Sequence, residues 1–415
     1  MTALPKVGIL SLGCPRNLVD SEHILGRLKF QGYSIVGIEN ADIAIINTCA
    51  FIEDAKTESI DAILDLIELK KNGKLKKIIV YGCLAQRYRN KLRREFPEVD
   101  AFVGRLDLSE DQKRFALTPG HYAYLKICEG CINNCSFCVI PKIKGAFRSL
   151  RASSILRQVE EFNSRGLAEL NIIGQDITGY GRDLYNKFAL SELIKKIARK
   201  SSRINWLRLL YLYPSRVNDD LLKLIRDEER LCKYIDLPIQ HINTRVLKSM
   251  NRHTSKRQII GLIHRARKII PEVCLRTSVI AGFPSETDKE FKELLGFIRE
   301  IKFERLGAFI YSREEDTRAF SLSGQVPKKV KQARFDAIMS AQQEISRQVN
   351  RKFLGKSLKV LIDEKGNDYY IGRSQYDAPE VDGQVYVKSK RSFNPGDFVD
   401  VKITDTLEYD LSGEA

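Results

Sequence analysis

The sequence predicts an α/β chain in three parts. These are an N-terminal open parallel α/β sheet domain (5–118), a partial (β/α)6 barrel (119–350) and a small C-terminal β-barrel (353–415). Three observations carry this. Apolar β-rich runs alternate with helical patterns through most of the chain, which implies βαβ units. After Gly355 the runs recur at short intervals with no helix between them. The 415 residues, 43% apolar and 29% charged, suit two to three cores at ~150 residues each and exclude a disordered chain. No apolar run reaches the ~18 residues that a membrane helix needs.

In the first part the strands are Val7–Gly13, Asp42–Thr48 and Lys77–Gly82, with helical patterns over Val19–Phe30 and Ile52–Leu69. The short apolar run from Val7 to Gly13 before Cys14 faintly mimics a lipoprotein signal. It lies at the lower limit of such segments, and folded-looking sequence follows, so the expectation is a cytoplasmic protein with no membrane association. Nine cysteines then need a reason other than disulfides. Cys14, Cys49 and Cys83 each follow a parallel strand, and the carboxyl ends of such strands share one rim where ligands bind. Three thiols gathered there point to metal or cluster ligation with one coordination position open.

The next strand, Tyr122–Ile127, leads into Cys128-Glu-Gly-Cys131-Ile-Asn-Asn-Cys135-Ser-Phe-Cys138. Zinc ribbons and fingers have other spacings, whereas thiolates this close in one loop suit an iron–sulfur cluster. C-x3-C-x2-C resembles the loop of the radical S-adenosylmethionine (SAM) superfamily. The resemblance implies that Cys131, Cys135 and Cys138 hold three irons of a 4Fe-4S cluster, leaving the fourth for SAM. It also places Phe137 near the adenine. Counting Cys128 would instead give four thiolates and a closed electron-transfer centre; that order of spacings differs from the ferredoxin one.

Further strands, Glu169–Gly174, Leu207–Tyr213, Tyr234–Gln240, Arg276–Gly282 and Arg305–Tyr311, alternate with helices such as Ser154–Asn163 and Glu286–Ile301, giving six βα units. Residues just past strand ends face the site in such barrels, and they include Gln175, Asp176, Gln240, His241 and Gly282. Gly179-Tyr-Gly181 alone reads as a turn, and His241 alone as an ordinary satisfied histidine. With the superfamily resemblance, Gly174, Gln175, Arg276 and Gly282 become candidate SAM contacts. Pro327 opens a long polar helix, Lys328–Phe353, whose charges read as a solvated face.

The last module has runs at Leu358–Ile362, Tyr369–Gly372, Gln384–Val387 and Phe398–Ile403, the spacing of an OB-like barrel. From 355 to 415 there are eight Lys and Arg against twelve Asp and Glu, net −4, so the rest of this +16 chain carries +20. An acidic barrel is a poor phosphate binder, and a basic protein would suit it better.

The whole order resembles the methylthiotransferases, which join an N-terminal methylthiotransferase domain, a radical SAM core and a TRAM domain. The resemblance implies a second 4Fe-4S cluster on Cys14, Cys49 and Cys83, whose open iron carries the sulfur to be inserted. It also implies one SAM as methyl donor and another as radical source. Two branches compete. One modifies an isopentenyladenosine in tRNA; the other modifies the β-carbon of an aspartate in small-subunit ribosomal protein S-twelve, free or in the subunit. The stretches Ser11-Leu-Gly-Cys-Pro-Arg-Asn-Leu-Val-Asp-Ser-Glu22, Asn47-Thr-Cys-Ala-Phe-Ile-Glu53 and Gly372-Arg-Ser-Gln-Tyr-Asp-Ala-Pro-Glu-Val-Asp-Gly383 are similar to the ribosomal branch; Cys128 departs from it. The implied partners are an electron donor such as flavodoxin or ferredoxin, and a sulfur source. A zinc-stabilised nucleic-acid-binding protein and a plain electron carrier are the competing classes.

Overall fold

The computed structural model describes residues 4–106 and 114–415. Its first sheet is parallel throughout, in spatial order β2-β1-β3-β4-β5: β1 (Lys6–Ser11), β2 (Ser34–Ile35), β3 (Ile43–Thr48), β4 (Lys77–Gly82) and β5 (Ala101–Val103). Helices α1 (Pro15–Phe30), α2 (Glu53–Lys71) and α3 (Cys83–Glu95) connect the strands. Ala44, Ile46, Ile78 and Val80 are fully buried against Ile63, Leu66 and Leu84. The sequence reading missed β2 and β5, which are too short for a periodic signal. It also missed α3, whose polar run Gln86-Arg-Tyr-Arg-Asn-Lys hides the helical stripe. Helix α1 begins four residues earlier than expected because Pro15 fits its first position without losing a hydrogen bond.

His23 lies buried in α1. Burial pushes its pKa down to about 3, helped by Arg114 and Lys126. The unfolded chain binds a proton near pH 6.5 and the folded protein does not, so stability should fall as pH drops. Between pH 7 and pH 5 this one group removes about 2 kcal/mol. Urea midpoints of wild type and His23→Gln across that range check it: the variant should show the shallower slope.

Six parallel strands form the partial barrel. After β6 (Tyr122–Lys126) comes a two-residue hairpin, β7 (Cys128–Glu129) with β8 (Arg148–Ser149), and then the helix α4 (Ile140–Lys144) lies inside that hairpin's loop. The strands continue as β9 (Glu169–Ile173), β10 (Trp206–Leu209), β11 (Tyr234–Asp236), β12 (Cys274–Ala281) and β13 (Arg305–Ile310). β6, β9 and β10 pair as one set and β11, β12 and β13 as another. A parallel bridge, Leu207 to Leu231, and a Leu212 N–H to Asp236 carbonyl bond of 3.0 Å join the sets. Two expected strands end early: β10 stops at Leu209, shortly before Tyr211 (φ 65°) leaves the extended region, and β11 stops at Asp236, with Gln240 (φ 69°) rejoining β12 only as an isolated bridge to Val279.

The helix Lys328–Asn350 leads into a closed barrel of β14 (Ser357–Lys365), β15 (Tyr370–Ser374), β16 (Val385–Lys388), β17 (Phe398–Thr406) and β18 (Leu411–Glu414), ordered β14-β15-β16-β18-β17. The short closing strand β18 was not legible in its Leu-Ser-Gly-Glu sequence. Nor is the lead-in helix wholly solvated: Arg334 is buried on Glu286 (2.8 Å) and Asp288 (2.7 Å).

Between β15 and β16 the segment 374–382 caps the amino-terminal ends of the larger barrel's strands. Tyr122, the first residue of β6, donates its hydroxyl to Glu380 (2.9 Å), and Tyr234, the first of β11, donates to Asp382 (2.6 Å). Arg305 pairs with Asp377 at 2.5 Å, and Arg373 with Glu169 at 2.6 Å. The acidic surplus of the last module is therefore turned inward. Its exposed residues comprise seven Lys and Arg against seven Asp and Glu, which corrects the reading of an acidic outer surface. The physical reason is that buried carboxylates need partners, and the barrel base supplies arginines and tyrosines. Among the described residues no helix is long and apolar enough to cross a membrane.

Candidate functional site

The opposite, carboxyl-terminal ends of the strands carry the cysteines. Cys14 caps α1, and Cys83 is the first residue of α3, so both stand at helix N-termini, where backbone N–H groups favour a thiolate. Both are preceded by glycines with left-handed backbone, Gly13 (φ 85°) and Gly82 (φ 102°). A Cβ on Gly13 would lie 2.8 Å from the Cβ of Cys49, and one on Gly82 would lie 2.3 Å from Asn47 Oδ1. Side chains are excluded there, which lets the three strand ends converge. Asn17 ties them together: its Nδ2 donates to the carbonyls of Leu12 and Thr48, both at 3.2 Å, and its Oδ1 accepts from Cys83 Sγ at 3.8 Å. Ser59 closes the turn by bonding both the N–H and the carbonyl of Cys49, each at 3.0 Å.

Electrostatics separate the three thiols. Burial alone would raise Cys14, but Arg16, the Asn17 N–H and Lys144 together hold it below its ordinary value. Burial raises Cys49, and it pushes Cys83 up to about 12 despite Lys144. Each of the two also feels Cys14, so the three lie within electrostatic reach of one another.

In the hairpin loop, Cys131 Sγ accepts from the Asn133 N–H (3.5 Å) and side-chain amide (3.6 Å). Asn133 is held in turn by Asp176 at 2.6 Å and Arg216 at 2.8 Å. Cys135 Sγ faces Arg252 Nη1 at 3.8 Å, and Cys138 bonds back to the Cys135 carbonyl at 3.1 Å. Burial raises Cys131 to about 11 and Cys138 further. Protonated thiols must lose protons to bind metal, so loading should release acid. Among the described residues no three His, Cys, Asp or Glu groups suit a single ion. A cluster spreads its thiolates over separate irons, and each set here is an all-thiol donor set of the kind such a cluster takes.

One interface holds both cysteine sets. Val139 and Ile143, directly after Cys138, pack into the first sheet's core beside Cys83 and Leu84. Asp20 of α1 takes Lys126 and, at 2.9 Å, Lys144. On another side Glu314, 1% exposed, accepts from Arg87 at 2.7 Å and pairs with Lys56 at 3.1 Å, fastening α2 and α3 to the segment after β13. Arg16 crosses the interface, its Nη1 donating to the Gly174 carbonyl at 3.0 Å.

The other sequence candidates lie at varied depth. Phe137 is half-buried against Val246, Met250, Ile280 and Phe283. The buried Gln175 Oε1 has no hydrogen-bond partner. The Gly282 N–H donates to Glu286 Oε2 at 2.6 Å, and a Cβ there would meet Lys331 at 2.4 Å, so its glycine serves the turn. Arg276 lies toward the barrel base, paired with Asp236 (3.2 Å) and Asp382 (3.3 Å). His241 is buried, bonded to Glu286 at 3.1 Å and accepting from the Asn243 N–H at 2.9 Å. Gly181 sits in a turn. Sequence reasoning passed over Arg16, Asn17, Asn133, Arg216 and Arg252. For the first three the available signal was adjacency to a cysteine.

Cys128 is fully buried, its Sγ 3.8 Å from the Asp176 carbonyl. A Cβ on Gly174 would come within 2.4 Å of that sulfur. Burial raises its pKa well above the ordinary thiol value. Cys128→Ala should therefore keep its iron and its SAM cleavage; loss of iron on that change alone would restore a four-thiolate centre. Cys232 and Cys274 are likewise buried, Cys274 donating to the Tyr376 carbonyl at the base.

Three family models match this chain: Uncharacterized protein family UPF0004 over 6–104, the Radical SAM superfamily over 125–298 and the TRAM domain over 354–415. The chain is 45% identical to the "Ribosomal protein uS12 methylthiotransferase RimO" of Clostridioides difficile, covering 99% of this chain and 98% of that one. It is 47% identical to the protein of that name from a Thermoanaerobacter species, over 99% and 100%. Among solved structures it is similar to the radical S-adenosylmethionine methyltransferase TsrM of Kitasatospora setae, with cobalamin and a [4Fe-4S] cluster bound. That likeness has a TM-score of 0.52 at 11% identity, over 76% of this chain and 73% of that one. It is a likeness of fold alone.

Proposed function

Because the chain belongs to the RimO family of ribosomal protein uS12 methylthiotransferases, we propose that its two cysteine sets serve one reaction. That reaction replaces a hydrogen by a methylthio group at the β-carbon of an aspartate of uS12. The chain is a radical SAM transferase acting on that ribosomal protein. When bound, two 4Fe-4S clusters and SAM supply the inserted sulfur, the methyl group and the hydrogen-abstracting radical.

Cys131, Cys135 and Cys138 hold the radical-generating cluster, and Cys14, Cys49 and Cys83 hold the other. Asn17 keeps the second set in register, while Asn133 and Arg252 orient thiols of the first. Phe137, Gly174 and Gln175 line the SAM side. Gly282 acts one layer back, through Glu286, whereas Arg276 serves the barrel base, paired with Asp236 and Asp382. The cluster needs one electron per SAM cleaved, so a low-potential cytoplasmic carrier of the flavodoxin or ferredoxin class is the expected donor, alongside a separate sulfur source.

The observation that most supports this reading is the shared interface: residues directly after Cys138 pack against the sheet that carries Cys83. A strain lacking the gene should lose the methylthio mass increment on uS12. If only tRNA loses its methylthio group, the isopentenyladenosine branch is right instead. Anaerobic purification yielding zinc without iron would favour a nucleic-acid-binding protein.

A further inference from the structure

We propose that Arg16 recognises the carboxylate of the target aspartate and so determines which side chain the enzyme accepts. This rests on the reading of uS12 as substrate and deepens it. Arg16 is the second residue of α1, two positions after Cys14. Its guanidinium leaves the first sheet and enters the barrel. One nitrogen donates to the Gly174 carbonyl, at the end of β9, at 3.0 Å. The plane lies over the Tyr211 ring, 4.4 Å from its centroid.

The partners of Arg16 leave a place for an anion. Inside the barrel Arg208 has Glu169, Arg276 has Asp236, Arg216 has Asp176 and Arg305 has Asp377; Arg252, like Arg16, has no carboxylate among the described residues, and it lies on Cys135, the Pro238 carbonyl and the Tyr213 ring within one cysteine set. Arg16 has none within ion-pair distance among the described residues, and its buried Nε has no hydrogen-bond partner. The Gly174 carbonyl, the Tyr211 face and the neighbouring Cys14 thiol, which the proposed cluster would share, compensate only part of the cost of burying a guanidinium. An entering carboxylate would complete the compensation, since the planar fork matches it in two-point geometry.

Position then adds chemistry. The β-carbon of aspartate is bonded directly to its carboxylate carbon. Anchoring that carboxylate between the two cysteine sets leaves the reacting carbon one bond away from the anchor. Tyr211, held at φ 65° with its N–H on Asp236 at 2.9 Å, fixes the ring on which the guanidinium lies. Asparagine offers no charge to this site and should be rejected.

The test measures affinity of the cluster-loaded enzyme for uS12 and for uS12 with its target Asp changed to Asn, under anaerobic conditions. Wild type should prefer the Asp form by about tenfold, equivalent to ~1.4 kcal/mol. Arg16→Gln should bind both forms alike. Arg16→Lys, which keeps the charge but not the fork, should retain a reduced preference. Equal binding of both forms by wild type, or an undiminished preference in Arg16→Gln, overturns the proposal and leaves Arg16 as a counter-charge for the thiolates alone. Should Arg16→Gln lose its iron, Arg16→Lys decides: a preference as large as wild type overturns it. If wild type binds neither form, the uS12 reading itself fails, and the proposal with it.

Discussion

Changing Cys14, Cys49 and Cys83 together to Ala is expected to halve the iron, from about eight per chain to about four, because each cluster of this kind holds four. Methylthiolation of uS12 should vanish while SAM cleavage to 5′-deoxyadenosine continues, since Cys131, Cys135 and Cys138 are untouched. The reciprocal variant, lacking those three, should also keep about four irons but lose both activities. Iron analysis and nucleoside chromatography on the two proteins, beside wild type, separate the roles. Full iron in the first variant would remove the N-terminal thiols from cluster binding. Uncleaved SAM there, with four irons retained, would mean that the two sets cannot be assigned separate tasks.

The second large effect is on stability. Asp20 is buried where α1 meets the barrel, between Lys126 and Lys144, and Glu129 joins the group at 2.6 Å from Lys126. Burial pushes the Asp20 carboxyl up, but the two ammonium groups outweigh this and hold it below the usual carboxylate range. Its contribution is therefore present above the unfolded carboxylate pKa and is lost only in acid, as pH falls through the lowered folded value. Asp20→Ala leaves two lysines with less negative charge than they need, at a cost of about 3–5 kcal/mol. The denaturant midpoint should fall accordingly, and iron incorporation should suffer, since Lys144 also acts on Cys14 and Cys83. Breaking the exposed Lys187–Glu192 pair should leave the midpoint in place. An unmoved midpoint in Asp20→Ala would show that the interface does not depend on this ion group.

Much of the site could be read from the chain because its geometry is local or topological. Cys131, Cys135 and Cys138 are close in space because they are close in sequence. Cys14, Cys49 and Cys83 could be gathered without coordinates, since parallel strands joined by helices must end on one edge. Other features depend on contacts between distant residues. The carboxylates of the last module looked like surface charge until Asp377 and Asp382 were found on Arg305 and Arg276. Composition gives no direction to a side chain, so the net −4 of that segment said nothing of its outer face.

The sequence by itself determined three things about this protein. They are the alternation that builds a sheet and a six-strand barrel, the two three-cysteine sets, and the resemblance that joined them to sulfur insertion. Periodicity and spacing are properties of neighbouring residues, so they survive without a structure. Only the tertiary structure decided that the sets meet at one interface, that Cys128 faces the core and that the last barrel caps the base. It alone showed that buried Arg16 has no carboxylate partner among the described residues. Each of these is a question of which buried charge or sulfur finds which partner, and burial and pairing exist only once distant segments have packed.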